Sequence, residues 1–378
     1  MKTSIKARLL FLVIMPILAI LALAVGKILF DVGERKSLEV AKSRIIEVEA
    51  LSKAIHFMQI ERGLSVGFVA SGGTKNSNEL REMRSKVNNA ITEAKNIYAS
   101  TNGDTGLFEN LRELSQIRSA INALSINGPQ TGAYFTKTIV SLVDASTTIP
   151  AQMSDKESRN LIQAYTHLSS AKELLGQIRA NLNGAFTKNA FLDDTFFKFG
   201  GAFGAYGINL RKFENLATPS LKIFLKETYR GNAVDKTMSM INIAKEKGLV
   251  GGFDVEPSEW FRNVTASIDL LRGVELELYK EADSLINRMI DEKSSNIIML
   301  GIALAVGVII FAAFILYFIK VSISKPLDIF RIALLKISAT KDLTIEVAEN
   351  TPLELSQMAK SFNNLMRELK ELIDVSKV

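Results

Sequence analysis

Residues 297–319, IIMLGIALAVGVIIFAAFILYFI, are 23 uncharged residues in succession. At about 1.5 Å per helical residue the run can cross a hydrocarbon core of about 30 Å, so the spacing predicts a membrane helix. Lys320, Lys325 and Arg331 follow it, which by the positive-inside rule puts its C-terminal end in the cytoplasm. On its other side, from Val264, the apolar positions settle into a 4–3 stripe: Val264, Ile268, Leu271, Glu275, Leu278, Ala282, Leu285 and Met289. A stripe sustained this long belongs to a helix that supercoils against partners and runs on into the membrane segment.

A second uncharged run, LLFLVIMPILAILALAVG at 9–26, resumes after Lys27 through Phe30 and is preceded by Lys2, Lys6 and Arg8. Ala22-Leu23-Ala24 resembles a signal-peptide cleavage site, but the apolar stretch exceeds the roughly 7–15 residues of a signal core, which favours an uncleaved membrane helix. The two spans divide the chain into a cytoplasmic N-terminus (1–8), a first membrane helix (9–30), an extracytoplasmic region (31–296), a second membrane helix (297–319) and a cytoplasmic segment (320–374). This is a two-pass layout for a cell inner membrane, with residues 31–296 periplasmic.

Composition removes several classes of chemistry. With no cysteine and only His56 and His167, neither thiolate nor imidazole metal sites are expected, and no cofactor is called for. The net charge of +6 comes from 46 basic and 40 acidic residues that are interleaved, so no nucleic-acid partner is expected. The Gly-rich GLVGGF at 248–253 lacks the Lys-Ser/Thr of a phosphate loop and follows no strand.

Between the membrane spans the chain reads as helices broken at Asn102-Gly103, Asn127-Gly128-Pro129, Ile149-Pro150, Gly248 to Gly252 and Glu256-Pro257. Sustained strand alternation is absent, so the outer region is expected to be all-α. The patch FFKFGGAFGAYG at 196–207 is too rich in glycine for a stable helix interior. It is read as a packed inter-helix connection, with a membrane-touching or lid-like role as the alternative.

Two helices of this region carry an arginine where an apolar residue belongs. In the first, Leu51, Ile55, Met58, Arg62, Ser65 and Val69 form one face before a Ser-Gly-Gly turn at 71–73. In 161–186 the stripe is Leu161, Tyr165, Leu168, Lys172, Leu175, Arg179, Leu182 and Phe186. An unpaired buried charge costs several kcal/mol, so two seam arginines in one bundle call for an anion. That anion can be internal: Glu61 neighbours Arg62, and Glu173 lies a little under two turns before Arg179. If it is external, a planar guanidinium best matches a planar oxyanion, which favours nitrate, nitrite, bicarbonate or a carboxylate over a halide. Trp260 is read as a packing anchor after the Glu256-Pro257 turn.

The cytoplasmic segment offers Ser324-Lys325-Pro326, an amphipathic helix with Ile323, Leu327, Phe330, Leu334 and Ile337 on its stripe, a connector, and a second helix with Leu355, Met358, Phe362, Leu365, Leu369 and Leu372. Two apolar seams with no globular body to cover them call for a homodimer, paired as a parallel four-helix coiled coil. Pro326, Glu354-Leu355-Ser356-Gln357-Met358 and Phe362-Asn363 give this segment its resemblance to a HAMP linker, the signalling relay of bacterial receptors. It departs from that family at Leu353, usually aspartate, and Ser356, usually glycine.

The outer region resembles the nitrate- and nitrite-sensing (NIT) domain over about 50–290. The resemblance rests on Gln59-Ile60-Glu61-Arg62-Gly63-Leu64-Ser65, on Ala171 to Leu182 with Ala185-Phe186, and on Pro257-Ser258-Glu259-Trp260-Phe261 leading into Ile268 to Glu275. It implies two stacked helical bundles in which Arg62 and Arg179 grip nitrate or nitrite, with Gly63 and Ser65 as candidates for shaping or lining the pocket. The combined layout is similar to the N-terminal part of a methyl-accepting chemotaxis protein. The expectation is a dimeric membrane chemoreceptor that is not itself an enzyme and that works through a downstream signalling module. A histidine kinase or cyclase sensor, and a structural membrane protein with internally paired arginines, stand as alternatives.

Overall fold

The computed structural model describes residues 5–192, 194–349 and 353–375. Among them are eleven α-helices: α1 (Ile5–Ala70), α2 (Ser77–Ser100), α3 (Leu114–Asn122), α4 (Gly128–Thr147), α5 (Lys156–Lys188), α6 (Thr195–Leu216), α7 (Pro219–Thr228), α8 (Asn232–Glu246), α9 (Pro257–Ile319), α10 (Lys325–Thr340) and α11 (Leu353–Val375). Short 3₁₀ segments lie at Thr105–Leu111 and Ile149–Gln152, and one π-helical turn at Lys320–Ser324. The described residues contain no strand. They divide into two compact units, one of residues 30–295 and one of 1–29 with 296–378.

The breaks fall where local chemistry sets them. Gly72 and Gly73 end α1 with φ of 63° and 82°, a left-handed turn that glycine adopts without steric cost. Asn127 caps α4 through a reciprocal box with Gln130, and Pro129 fills its first turn, where a missing N–H costs nothing. Asp155 caps α5 by accepting from the backbone N–H of Ser158 at 2.7 Å, and Asn189 closes the same helix in the left-handed region.

Unit 30–295 has two hydrophobic cores that share α1. Leu38, Ala41, Ile45 and Val48 enter the first, which is completed by α5 through α9. Leu51, Ala54, Ile55 and Met58 enter the second, with α2, α3, α4 and Phe108 of the 3₁₀ segment. α5 runs in the same sense as α1, since Ser154 meets Ser37 while Glu173 meets Gln59 and Arg62 farther along. α9 runs the opposite way, with Arg272 at Ser52 and Asn287 at Lys42.

One expectation is overturned. Residues 196–207 are not an inter-helix connection; they lie inside α6. Phe199, Ala202, Tyr206 and Phe213 are buried on one face, whereas a Cβ added at Gly200, Gly201, Gly204 or Gly207 would meet nothing within 4 Å. Large aromatic residues packed on α5 and its neighbours supply the stability that glycine withholds, so tertiary burial overrides propensity.

α1 and α9 each run unbroken from the bundle of residues 30–295 through an apolar stretch long enough to cross a membrane. Almost none of either apolar window is buried, and Leu23, Ile298, Ile309 and Leu316 all stand exposed. Each such side chain left in water would forfeit roughly 1.5–3 kcal/mol, which a lipid environment restores.

In the other unit, α10 and α11 meet through Phe330 and Phe362, whose ring centroids are 5.5 Å apart. Asn363 ties the connector to α11: its amide oxygen accepts from Val347 N at 2.8 Å, and its amide nitrogen donates to Val347 O at 2.9 Å and to Glu349 at 3.2 Å. Leu327, Leu334, Met358, Leu365, Leu369 and Leu372 of the expected seams are exposed in the single chain. Leu355 and Ile323 lie outside the described side chains.

Candidate functional site

Arg62 sits on α1 where the two cores adjoin, 5% exposed, between α4 and α5. Its fork is closed on Glu173 of α5, with Nη1 to Oε1 at 2.6 Å and Nη2 to Oε2 at 3.1 Å. Nη1 also donates to Thr136 Oγ1 of α4 at 2.9 Å. Glu173, 2% exposed, accepts two further bonds, from Gln59 Nε2 at 2.8 Å and Gln177 Nε2 at 3.1 Å. A buried carboxylate with four N–H donors is fully satisfied, which fixes Arg62 in one orientation.

Arg179 is different. It donates from Nη1 to Thr265 Oγ1 of α9 at 3.0 Å, and its guanidinium lies 4.9 Å from the centre of the Phe261 ring. Among the described residues no carboxylate comes within 4.0 Å of it. Burial pushes its pKa down to about 10, and the neighbouring positive charge of Arg62 is the second cause; Glu173 and Asp269 act weakly the other way. Asp269 is exposed, so solvent screens its pull.

The two guanidinium groups approach through glycines. A Cβ at Gly63 would stand 3.6 Å from Arg179 Nη2, and one at Gly176 would stand 2.8 Å from Arg62 Nη2. The first is an ordinary contact. The second cannot form without displacing a group already held by Glu173 and Thr136. Gly63 therefore lies against Arg179, but the position that requires glycine most strictly is Gly176. Ser65 is fully buried on the face of Arg62, and its hydroxyl has no hydrogen-bond partner among the described residues.

The structure thus brings Arg62, Arg179 and Gly63 together and changes the pairing expected from sequence. Glu61 does not serve Arg62: its carboxylate is gripped by Arg118 of α3 at 2.7 and 2.6 Å, and Arg84 of α2 lies 3.4 Å away. Glu173 serves Arg62 rather than Arg179. Thr136, Thr265 and Gln177 join the site without having been singled out. A hydroxyl on a neighbouring helix leaves no periodic mark in a sequence, so only cross-helix register reveals it. Trp260 is wholly buried, and its indole N–H donates to the backbone oxygen of Arg179 at 3.1 Å, so it anchors α9 to α5 at the site itself.

A second buried layer crosses the same three helices. Lys172 of α5 and Glu275 of α9 pair directly, each about 1% exposed, and Arg272 also reaches Glu275 at 3.0 Å while donating to Ser52 of α1. Both Lys172 and Glu275 stand on the apolar stripes of their helices, but nothing in the spacing of either helix pairs them. His56 faces this layer; burial first, then Lys172 and Arg272, hold its pKa down at about 3, so it stays neutral. His167 instead bonds Asn209 of α6 at 3.0 Å.

Comparison with known proteins bears on this geometry. A family model described as nitrate and nitrite sensing matches residues 53–283, which hold every residue of the site. A HAMP domain model matches residues 318–371. Among solved structures, the NasR transcription antiterminator aligns over 90% of this chain and 96% of its own, with a TM-score of 0.59 and 17% identity, a likeness of fold. A search of curated proteins finds no match.

Proposed function

This chain belongs to the nitrate- and nitrite-sensing family, and from that premise we propose that it is a two-pass inner-membrane chemoreceptor whose periplasmic bundle binds nitrate or nitrite beside Arg62 and Arg179. One observation carries the proposal: Arg179 is a partly buried guanidinium beside a second one, with no carboxylate in reach and N–H groups left to donate. A small planar monoanion on Arg179 completes its hydrogen bonding and cancels its charge where water is scarce. Gly63 allows the close approach, and Ser65 supplies a nearby buried hydroxyl.

Binding biases the output only through a difference in affinity between two packings. α5 carries Glu173 and Arg179, and α9 carries Thr265 and Phe261 and continues into the second apolar span. An anion that draws Arg179 and Thr265 together therefore acts on the helix that enters the membrane. The HAMP segment, cytoplasmic in this layout, receives the shift as a homodimer that covers the exposed seams of α10 and α11. The chain acts as a sensor rather than an enzyme, feeding a downstream chemotaxis module. Histidine kinase or cyclase output is the second choice. No nucleic-acid partner is part of this reading.

A rival reading has one observation in its favour, because the fork of Arg62 is already closed on Glu173. On that reading the arginines are structural and the bundle binds nothing. Thermal melting of the purified full chain in nitrate, nitrite and chloride separates the two. A receptor gains stability in one planar anion and loses that gain with Arg179→Ala, whereas equal melting in all three salts leaves the structural reading standing.

A further inference from the structure

The carboxylate that occupies Arg62 also defines what the remaining charge can accept. Two guanidinium groups and one carboxylate, Arg62, Arg179 and Glu173, leave the site with a single positive charge. Glu173 is 2% exposed and held by Arg62, Gln59 and Gln177, so it does not exchange with solvent ions as a surface glutamate would. The one other carboxylate that acts on Arg179 is Asp269, which is exposed and outside salt-bridge distance. The nearby Lys172 is already paired with Glu275, and the second cation on that carboxylate, Arg272, is partly exposed, where solvent screens it.

From this arrangement we infer that Glu173 is the specificity-determining residue that makes the arginine cluster a site for monoanions. This rests on the proposal that the arginine cluster binds a small oxyanion, and it adds the charge that the oxyanion must carry. An anion of charge −1 at Arg179 brings the cluster to neutrality. A dianion such as sulfate or hydrogenphosphate leaves a net negative charge in a poorly hydrated space beside a carboxylate that cannot turn away, and such a charge is strongly disfavoured. Sulfate also offers oxygens for a guanidinium fork, so hydrogen-bond geometry alone would not exclude it. Glu173 acts through Arg62 and through the total charge, without touching the ligand. Its signature is therefore a ratio of affinities rather than an affinity.

The test is calorimetric titration of the full chain in lipid nanodiscs with sodium nitrate and sodium sulfate near neutral pH. The wild-type chain is expected to prefer nitrate by about 100-fold or more, and Glu173→Gln, which keeps shape but raises the cluster to two positive charges, should narrow that ratio by about 10-fold or more. Glu173→Asp retains the charge and should retain the preference even if both affinities fall. Sulfate binding within a few-fold of nitrate in the wild type, or an unchanged ratio in Glu173→Gln, overturns the inference. Should Glu173→Gln fail to fold, the wild-type chain decides. Sulfate binding that is absent, much weaker, or accompanied by uptake of one proton supports the inference; sulfate binding as tight as nitrate and without proton uptake sinks it. If nitrate, nitrite and sulfate all fail to bind the wild type, the ligand proposal itself has failed and this inference falls with it.

Discussion

Two buried ionic layers lie close together on the same three helices, and they resolve their charge in opposite ways. In the layer of Glu275, both cations touch the carboxylate: Lys172 pairs with it directly and Arg272 reaches it at 3.0 Å. In the layer of Glu173, Arg62 holds the carboxylate with both arms, and Arg179 is left beside a threonine and an aromatic ring. The cluster of Glu61, with Arg118 bonded and Arg84 at 3.4 Å, follows the first pattern. Equal numbers of charges therefore give a closed layer in two places and an open one in the third. In those two clusters both cations lie within ion-pair distance of the shared carboxylate, and Arg179 alone of the six does not.

The contrast can be broken most forcefully from the closed side. Glu275→Ala strands Lys172, which burial already pushes to a lower pKa, and is expected to cost about 3–5 kcal/mol. Denaturant unfolding measures it, and the double replacement of Lys172 by Met and Glu275 by Leu should recover part of the loss, since a matched apolar pair removes both desolvation penalties while the partly exposed Arg272 loses its carboxylate. Failure of the double variant to recover would mean that the layer specifies the fold by more than charge pairing.

A smaller effect sharpens the open side. Without ligand, Arg62→Ala leaves the buried Glu173 without its main partner and should destabilise by about 2 kcal/mol more than Arg179→Ala. Arg179→Ala removes a cation that burial and Arg62 already disfavour, so the ligand-free chain should keep its stability within about 1 kcal/mol of wild type. Comparable losses in both variants would show that Arg179 is as firmly paired as Arg62 and would erase the distinction.

A pH-dependent effect concerns His56, beside the closed layer. Its folded pKa is about 3 against about 6.5 when unfolded, so between those values the unfolded chain binds the extra proton. Stability conferred by the neutral ring is complete above pH 6.5 and is lost as pH falls toward 3, with a slope of at most about 1.4 kcal/mol per pH unit. His56→Gln should flatten that part of the pH–stability curve, and an unchanged curve would place His56 in contact with water.

Much of this was legible from spacing. The stripes through Arg62 and Arg179 follow from helical periods and the two apolar spans from uninterrupted length, because both are properties of a single helix. Partner choice was not legible, because it depends on register between helices. Glu173 stands beside the stripe rather than on it, so nothing along α5 announced that it would cross to α1. The glycines of 196–207 misled for the same reason: what allows α6 is the aromatic face it buries, which belongs to the assembly and not to the segment. Phe362 and Asn363 were noted for their place in a motif, but the three bonds from Asn363 to the connector appear only once residues 347 and 349 lie alongside α11.

The indole that binds the backbone oxygen of Arg179 is the only tryptophan in the chain. Its emission, excited at the red edge where the seven tyrosines absorb little, originates within one hydrogen bond of Arg179. The protein therefore contains its own unlabelled optical probe, and any tilt between α5 and α9 at that point should be visible as a change in colour or lifetime.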